Sequence, residues 1–498
     1  MNVNPITRLD YPDPDVIRVE DTYYMVSTTM HFMPGCEILQ SFDLVHWEHV
    51  TYVYETLDHT DAQQLKSGQN IYGQGMWAAS LRYHEGRFCI CFVANDTRKT
   101  YLYTSEKIDG PWKKQLIEGF YHDGSLLFDE DGRNYIVYGN DEIWITELNE
   151  DLTAPKKDGL HRLLVSDHKN PELGYEGSHI QKINGYYYIF LIHSLRDRWM
   201  RTEACFYSDS LEGEFTGGDV LCDDRGYCGQ GVAQGGIVDT PDGKWYAMLF
   251  QDSGAVGRIP ILLPVTWKDH FPFFGQNGHV PEEIEVHSTR PGYIYQPLVG
   301  SDDFCNGLLP RWQFNHDPDP RYYHLDALQG TYTITTREVC TELTQAVNTL
   351  TQRMSYPSCA AEVTVDASAL KEGDVAGLCA LQSCYAAVGI TKHHGKYEVL
   401  MLDKKEDGIL DMTERTVVES HQMDFRLEAD FCNMKDEARC YYRVNKGDWL
   451  PIGTVHKLYF KLDHFTGCRF GLFCYAAEET GGSACFRDFK YYDVDEIS

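Results

Sequence analysis

Three acids, Asp13, Asp123 and Glu176, hold one position in a repeated layout, and carboxyl groups that converge can do chemistry. Asp13 stands just before a short apolar run, Val16–Val19. A turn follows, then a second run, Tyr23–Thr28. Counting eight and nine residues from Asp13 puts the turn at Asp21 and Thr22. The same offsets lead from Trp77 to Glu85-Gly86, from Asp123 to Asp131-Gly132, from Glu176 to Asn184-Gly185 and from Gln234 to Asp242-Gly243. Asp-Gly or Asn-Gly between strand-like runs is a hairpin signal. Asp13, Trp77, Asp123, Glu176 and Gln234 are therefore equivalent residues. Hydrolysis of a glycosidic bond needs one carboxylate to activate water and one protonated carboxyl to supply the leaving oxygen with a proton. Crowded carboxyls cannot all ionise, so one pKa rises and that group can act as the acid. Acids could instead hold Ca²⁺, which takes roughly six to eight oxygen ligands, or accept backbone N–H bonds at the start of a strand. The register alone leaves all three uses open.

The elements that would position these acids are short and strand-like. Each repeat runs roughly 45 to 65 residues with three or four Tyr-, Val- and Ile-rich strands, a length that suits one propeller blade. Five repeats predict a five-bladed β-propeller over 1–285. Its innermost strands line the axis, so equivalent residues at their starts form a ring at one end. After Gly275 the layout stops. Residues 286–300 read as a linker. From 301 to 498 the runs Ala360–Val365, Tyr397–Leu402, Leu458–Leu462 and Phe470–Tyr475 lack the register and predict a two-sheet β-sandwich.

The 498-residue chain is long enough for two domains, and its 43% apolar and 24% charged content is globular. A net charge of −31 opposes binding to nucleic acid or an anionic membrane. No apolar run approaches the ~20 residues of a membrane-spanning helix. Residues 1–10 carry no signal-peptide pattern, and the 16 cysteines, many inside strand-like runs, form no paired zinc motif. Reduced thiols in a cytoplasmic protein are the expectation.

The segments Tyr11–Asp15, Met76–Ser80, His122–Gly132, Tyr175–His179, Gly235–Trp245 and Val256-Gly-Arg258 together resemble the motifs of glycoside hydrolase family 43. The similarity points to its β-xylosidases and α-L-arabinofuranosidases. Trp312–Asp317 and Asn348–Arg353 resemble the concanavalin-like β-sandwich that follows the propeller in that group. The resemblance implies an all-β enzyme with an inverting, single-displacement mechanism. By motif, Asp13 matches the general base, Glu176 the general acid, and Asp123 the residue that tunes and orients the acid. Inversion calls for a base–acid separation of ~6.5–9.5 Å. Arg258 matches a residue that binds sugar hydroxyls.

Around the ring, Trp77 could stack on a sugar, and Met30, His31 and Phe32 could form an apolar wall. Many relatives have a calcium-associated His at the fifth ring position. Here Gln234 stands there and is counted with Trp77, Arg258, Met30 and Phe32 among the substrate-binding residues; no metal ligand is assigned, no cofactor is required, and a structural calcium is possible but not expected. His122 and His179 read as structural. The sandwich has two readings: a carbohydrate-binding module that displays exposed aromatics, or a wall of the active site that sends the loop Glu478–Ser483 over the ring and closes a pocket for exo action on oligosaccharides. Homo-oligomers are compatible with this group. The competing readings are a non-catalytic glycan-binding propeller–sandwich and a family enzyme acting on galactose or on internal arabinan.

Overall fold

The computed structural model describes residues 4–493. Five four-stranded antiparallel sheets follow one another along the chain. Blade I spans Asp15–Tyr54, blade II Met76–Ile117, blade III Ser125–Ser166, blade IV Glu176–Leu221 and blade V Val232–Phe274. Each of the five repeat units forms one blade, so the all-β propeller expected from the register is present. Two of the predicted turns are two-residue connections with left-handed backbone throughout: Glu85 (φ 50°) with Gly86 (φ 77°), and Asn184 (φ 52°) with Gly185 (φ 83°). That conformation matches the twist of the flanking strands. In blade I the turn falls one residue earlier than expected, on Glu20 and Asp21. β-Branched Thr22 already pairs with Val19, as a residue that avoids positive φ should.

Among the described residues the ring is closed without exchange of strands between blades. Residues 4–11 run beside the third strand of blade V, with Ile6 N–H on the Pro260 carbonyl (3.1 Å) and Tyr11 N–H on that of Arg258 (3.1 Å). On the axis, Arg82 of blade II donates to Asp15 of blade I (2.7 Å), to Ser125 Oγ (2.7 Å) and the Leu126 carbonyl (2.9 Å) of blade III, and to the Ile180 carbonyl of blade IV (3.2 Å). One guanidinium thus joins four blades.

The C-terminal half forms an eight-stranded sheet and a seven-stranded sheet around one apolar core that includes Leu378, Val388, Phe425, Phe470 and Phe486. The two domains are built into each other. Phe32 and Met33, from the top loop of blade I, pair with Asn315 and Phe314 and become the edge strand of the eight-stranded sheet. Buried Glu37 and Arg353 meet at 2.8 Å across the boundary. The stretch read as a linker is strapped onto blade I. Tyr295 Oη accepts the Phe42 N–H (2.9 Å), Gln296 N–H reaches Glu48 (2.9 Å) and Arg290 pairs with Asp21 (2.8 Å).

Candidate active site

The ring residues reach the axis because the backbone is bent at each of them. Asp13 (φ 53°) and Asp123 (φ 48°) take left-handed backbone just before their strands, and Gln234 (φ 60°) takes it within its strand. In blades II, IV and V the ladder slips at the ring position, between Met76 and Ala79, Glu176 and His179, and Ala233 and Gly236. A bulge re-aims side chains, and such backbone persists in non-glycine residues only where the surroundings hold it. Each of the five predicted positions carries at least one of these two devices.

Asp13 is 6% exposed. It accepts from Thr28 Oγ1 (2.6 Å) and from the Arg258 guanidinium (3.1 and 3.3 Å). Arg258 opens the third strand of blade V, and Gly257 (φ 107°) precedes it because a Cβ there would fall 2.4 Å from Asp10 Oδ1. Asp10 in turn accepts the backbone N–H groups of Arg258 and Gly467 (both 2.8 Å), tying the arginine to a loop of the sandwich. That loop carries Phe465, whose ring lies 4.2 Å from the Arg258 guanidinium carbon and 5.6 Å from Trp77.

Across the ring, Glu176 accepts from Asn140 Nδ2 (2.5 Å), and Asp123 accepts the Gly177 N–H (3.0 Å). His122 Nε2 stands between them, 3.4 Å from Glu176 and 3.5 Å from Asp123. Burial pushes Asp123 up to about 6, with the nearby carboxylates of Glu176 and Asp13 adding and His122 opposing. Burial also disfavours charge on His122, yet Asp123, Glu176 and Asp13 together raise it to about 9. His122, Asp123 and Glu176 are the one group among the described residues whose potential metal-ligand atoms lie within 4.8 Å of one another. The His122 Nε2 faces both carboxylates and lies within hydrogen-bond distance of Glu176, so the ring is arranged as a donor to that acid rather than as a metal ligand.

The channel residues do not fit a calcium ion either. Asp15 is taken by Arg82 and by His179 Nδ1 (3.1 Å), and the Arg82 cation itself occupies the axis. Gln234 packs on Gly177, where a Cβ would lie 2.7 Å from the amide carbon, and its backbone N–H bonds Glu203 (2.7 Å). Glu203 is fully buried between blades IV and V, and desolvation raises its pKa well above the usual carboxylate range.

Several expectations are corrected. Phe32 is not a pocket wall: the sandwich pairs with its backbone, and the Arg469 guanidinium covers its ring at 3.5 Å. Met30 is 1% exposed, with its backbone bonded both ways to Met76. His31 is buried against Phe32, Tyr72 and His316. Arg258 is committed to Asp13 and to the Phe465 carbonyl (3.3 Å). Glu478–Ser483 stays on the sandwich near Lys371 and Thr336; the loop that reaches the ring is 459–467. His122, read as structural, belongs to the acid cluster. Its place beside Asp123 in sequence was the available signal. Asn140, Thr28 and Phe465 carried none, because they lie at strand ends or in the other domain.

The description "Glycosyl hydrolases family 43" matches residues 3–272, and "Beta xylosidase C-terminal Concanavalin A-like domain" matches residues 301–492. The chain belongs to glycosyl hydrolases family 43. Its solved relatives include a bifunctional GH43-CE protein of Bacteroides eggerthii, with 42% identity and a TM-score of 0.93 over 100% of this chain. This chain spans 64% of that protein's length. Curated relatives include a beta-xylosidase of Formosa agariphila, 27% identical over 99% of this chain and 89% of its own. Another is a non-reducing end alpha-L-arabinofuranosidase of Bacteroides ovatus, 24% identical over 82% of this chain and 79% of its own.

Proposed function

We propose that this family 43 enzyme is an exo-acting, inverting glycosidase that releases terminal β-D-xylose or α-L-arabinofuranose from hemicellulose oligosaccharides. The observation that carries the reading is the division of the ring into two chemically different halves. Asp13 accepts hydrogen bonds from Arg258 and Thr28, the partners that suit a carboxylate base. In the other half Asp123 and His122, both with raised pKa values, stand beside Glu176. In the proposed mechanism Asp13 takes a proton from water as that water attacks the anomeric carbon. Glu176 gives its proton to the leaving oxygen, and Asp123 with His122 sets the proton affinity of Glu176. Trp77 and Phe465 bound the sugar on the blade II and sandwich sides, and a site walled by a second domain suits a chain end. The names of the curated relatives support xylose and arabinofuranose as the sugars. No cofactor takes part, and EDTA should leave turnover unchanged. The reading places the enzyme in the cytoplasm, where fractionation of the source cells would find it.

The test compares wild type with Glu176→Ala on p-nitrophenyl β-D-xylopyranoside, p-nitrophenyl α-L-arabinofuranoside and oligosaccharides of both sugars. If Glu176 is the acid, the variant loses far more on the oligosaccharides, whose leaving groups need protonation, than on the nitrophenyl glycosides. Equal losses on both would remove Glu176 from that role. A wild type that cleaves none of them would remove the substrate assignment.

A further inference from the structure

The connection Leu195–Met200 joins the second and third strands of blade IV at the same end of the propeller as the acid ring. It carries Trp199, the most exposed tryptophan among the described residues, at 44%. An exposed Trp on a mobile loop would be unremarkable surface, but this one is braced. The Arg201 guanidinium carbon lies 5.4 Å from the Trp199 ring and 5.1 Å from Phe250, and its Nε pairs with Asp252 (2.8 Å). Phe250 also meets Arg258 (5.5 Å), which meets Phe465. Alternating rings and guanidinium groups therefore run from the sugar pocket to Trp199. The loop is closed on itself by Leu195 N–H to the Met200 carbonyl (3.1 Å) and Met200 N–H to Ser194 Oγ (2.8 Å).

The chemistry says which side this platform serves. Glu176 opens the inner strand of the same blade and pairs with Ile192, two residues before Ser194. An acid that protonates the leaving oxygen has the leaving sugar over its own blade. A pyranose in that place offers a face of C–H groups, and a rigid, pre-positioned aromatic ring is the surface that recognises it at low entropic cost. We propose that Trp199 is the platform for the leaving-group sugar, selecting donors whose aglycone is a pyranose unit of an oligosaccharide such as a β-linked xylose. This rests on the glycosidase reading above and adds to it the recognition of the departing half of the substrate.

The experiment compares wild type, Trp199→Ala and Trp199→Phe on paired donors. One pair is xylotriose and β-D-xylosyl fluoride. The other is an arabinofuranosyl-substituted xylotriose and methyl α-L-arabinofuranoside. The fluoride and the methanol are too small to reach the loop. In Trp199→Ala the ratio of kcat/KM for small over sugar leaving groups should rise about tenfold, mainly through KM on the oligosaccharide, and Trp199→Phe should restore part of it. A ratio equal to that of wild type overturns the assignment, whether or not overall activity falls. If Trp199→Ala instead shifts the elution volume of the protein with unchanged ratios, the ring belongs to a contact between copies, which also overturns it. A wild type inactive on all four donors overturns the underlying glycosidase reading, a separate result from an unchanged ratio in an active enzyme.

Discussion

Replacing His122 by Ala or Asn should move the basic limb of the pH–kcat/KM profile upward by about one to two units. The imidazole nitrogen stands 3.4 Å from Glu176 and 3.5 Å from Asp123, and its raised pKa of about 9 makes it cationic at neutral pH. At an effective dielectric constant near 20, one unit charge at that distance is worth about 5 kcal/mol. About a fifth of the His122 and Glu176 side chains is open to solvent. The charge is also divided between two acids, so only part of that figure reaches either. An opposite charge at this range shifts a carboxyl by about one to three units, and the lower half of that range is expected here. The sign follows directly. The cation favours the ionised form of the pair, so its loss raises the proton affinity of the pair and extends the protonated acid to higher pH. The assay is kcat/KM from pH 4 to 10 on a glycoside with a poor leaving group. Asn keeps a hydrogen-bond donor without the charge, so equal shifts in both variants assign the effect to charge. A limb that stays in place or moves down would refute the electrostatic role of His122.

Three further outcomes are expected. Arg258→Ala leaves Asp13 buried without its cation; it should cost about 3–5 kcal/mol in chemical denaturation and abolish turnover, and a loss below about 1 kcal/mol would show that the pair is not what holds Asp13. Acid should loosen the domain boundary: opposing the effect of burial, Arg353 and His49 lower Glu37 from 4.5 to about 2. Its stabilisation, about 3 kcal/mol, is present above pH 4.5 and lost as pH falls toward 2, so Glu37→Gln should flatten the acid side of a Tm–pH curve. Removing 301–498 should yield insoluble propeller, since it strips the strand partner of Phe32–Met33 and the Arg353 partner of Glu37, whereas Phe465→Ala in the full chain should remain folded and raise KM about tenfold; a soluble, active fragment would refute the built-in boundary.

The propeller was legible because its signal is local and repeated. Hairpin turns at fixed offsets and apolar runs between them depend only on short-range backbone chemistry, and five copies give the register redundancy. The sandwich was legible only as a class, since its strands lack a repeat to index them. The closing loop was misplaced for a related reason. Paired glycines at 481 and 482 were a local cue, whereas the real contact at Gly467 depends on a backbone 211 residues away, where a Cβ would meet the Val256 carbonyl oxygen at 2.1 Å. The apolar run at Met30–Phe32 misled in the same way, because hydrophobic residues that face a sugar and those that face another domain look alike in one dimension.

By itself the sequence determined that Asp13, Trp77, Asp123, Glu176 and Gln234 are equivalent, and hence that three acids share one end of a propeller axis. Equivalence in a repeat becomes proximity through closure of the ring, and no other information is needed. The tertiary structure alone decided what each acid touches: Arg258 and Thr28 on Asp13, His122 between Asp123 and Glu176, Arg82 across the axis, and Phe465 arriving from the second domain. Those contacts set proton affinities and close the pocket. They depend on distances of a few ångströms between residues far apart in the chain, which side-chain type and spacing do not encode.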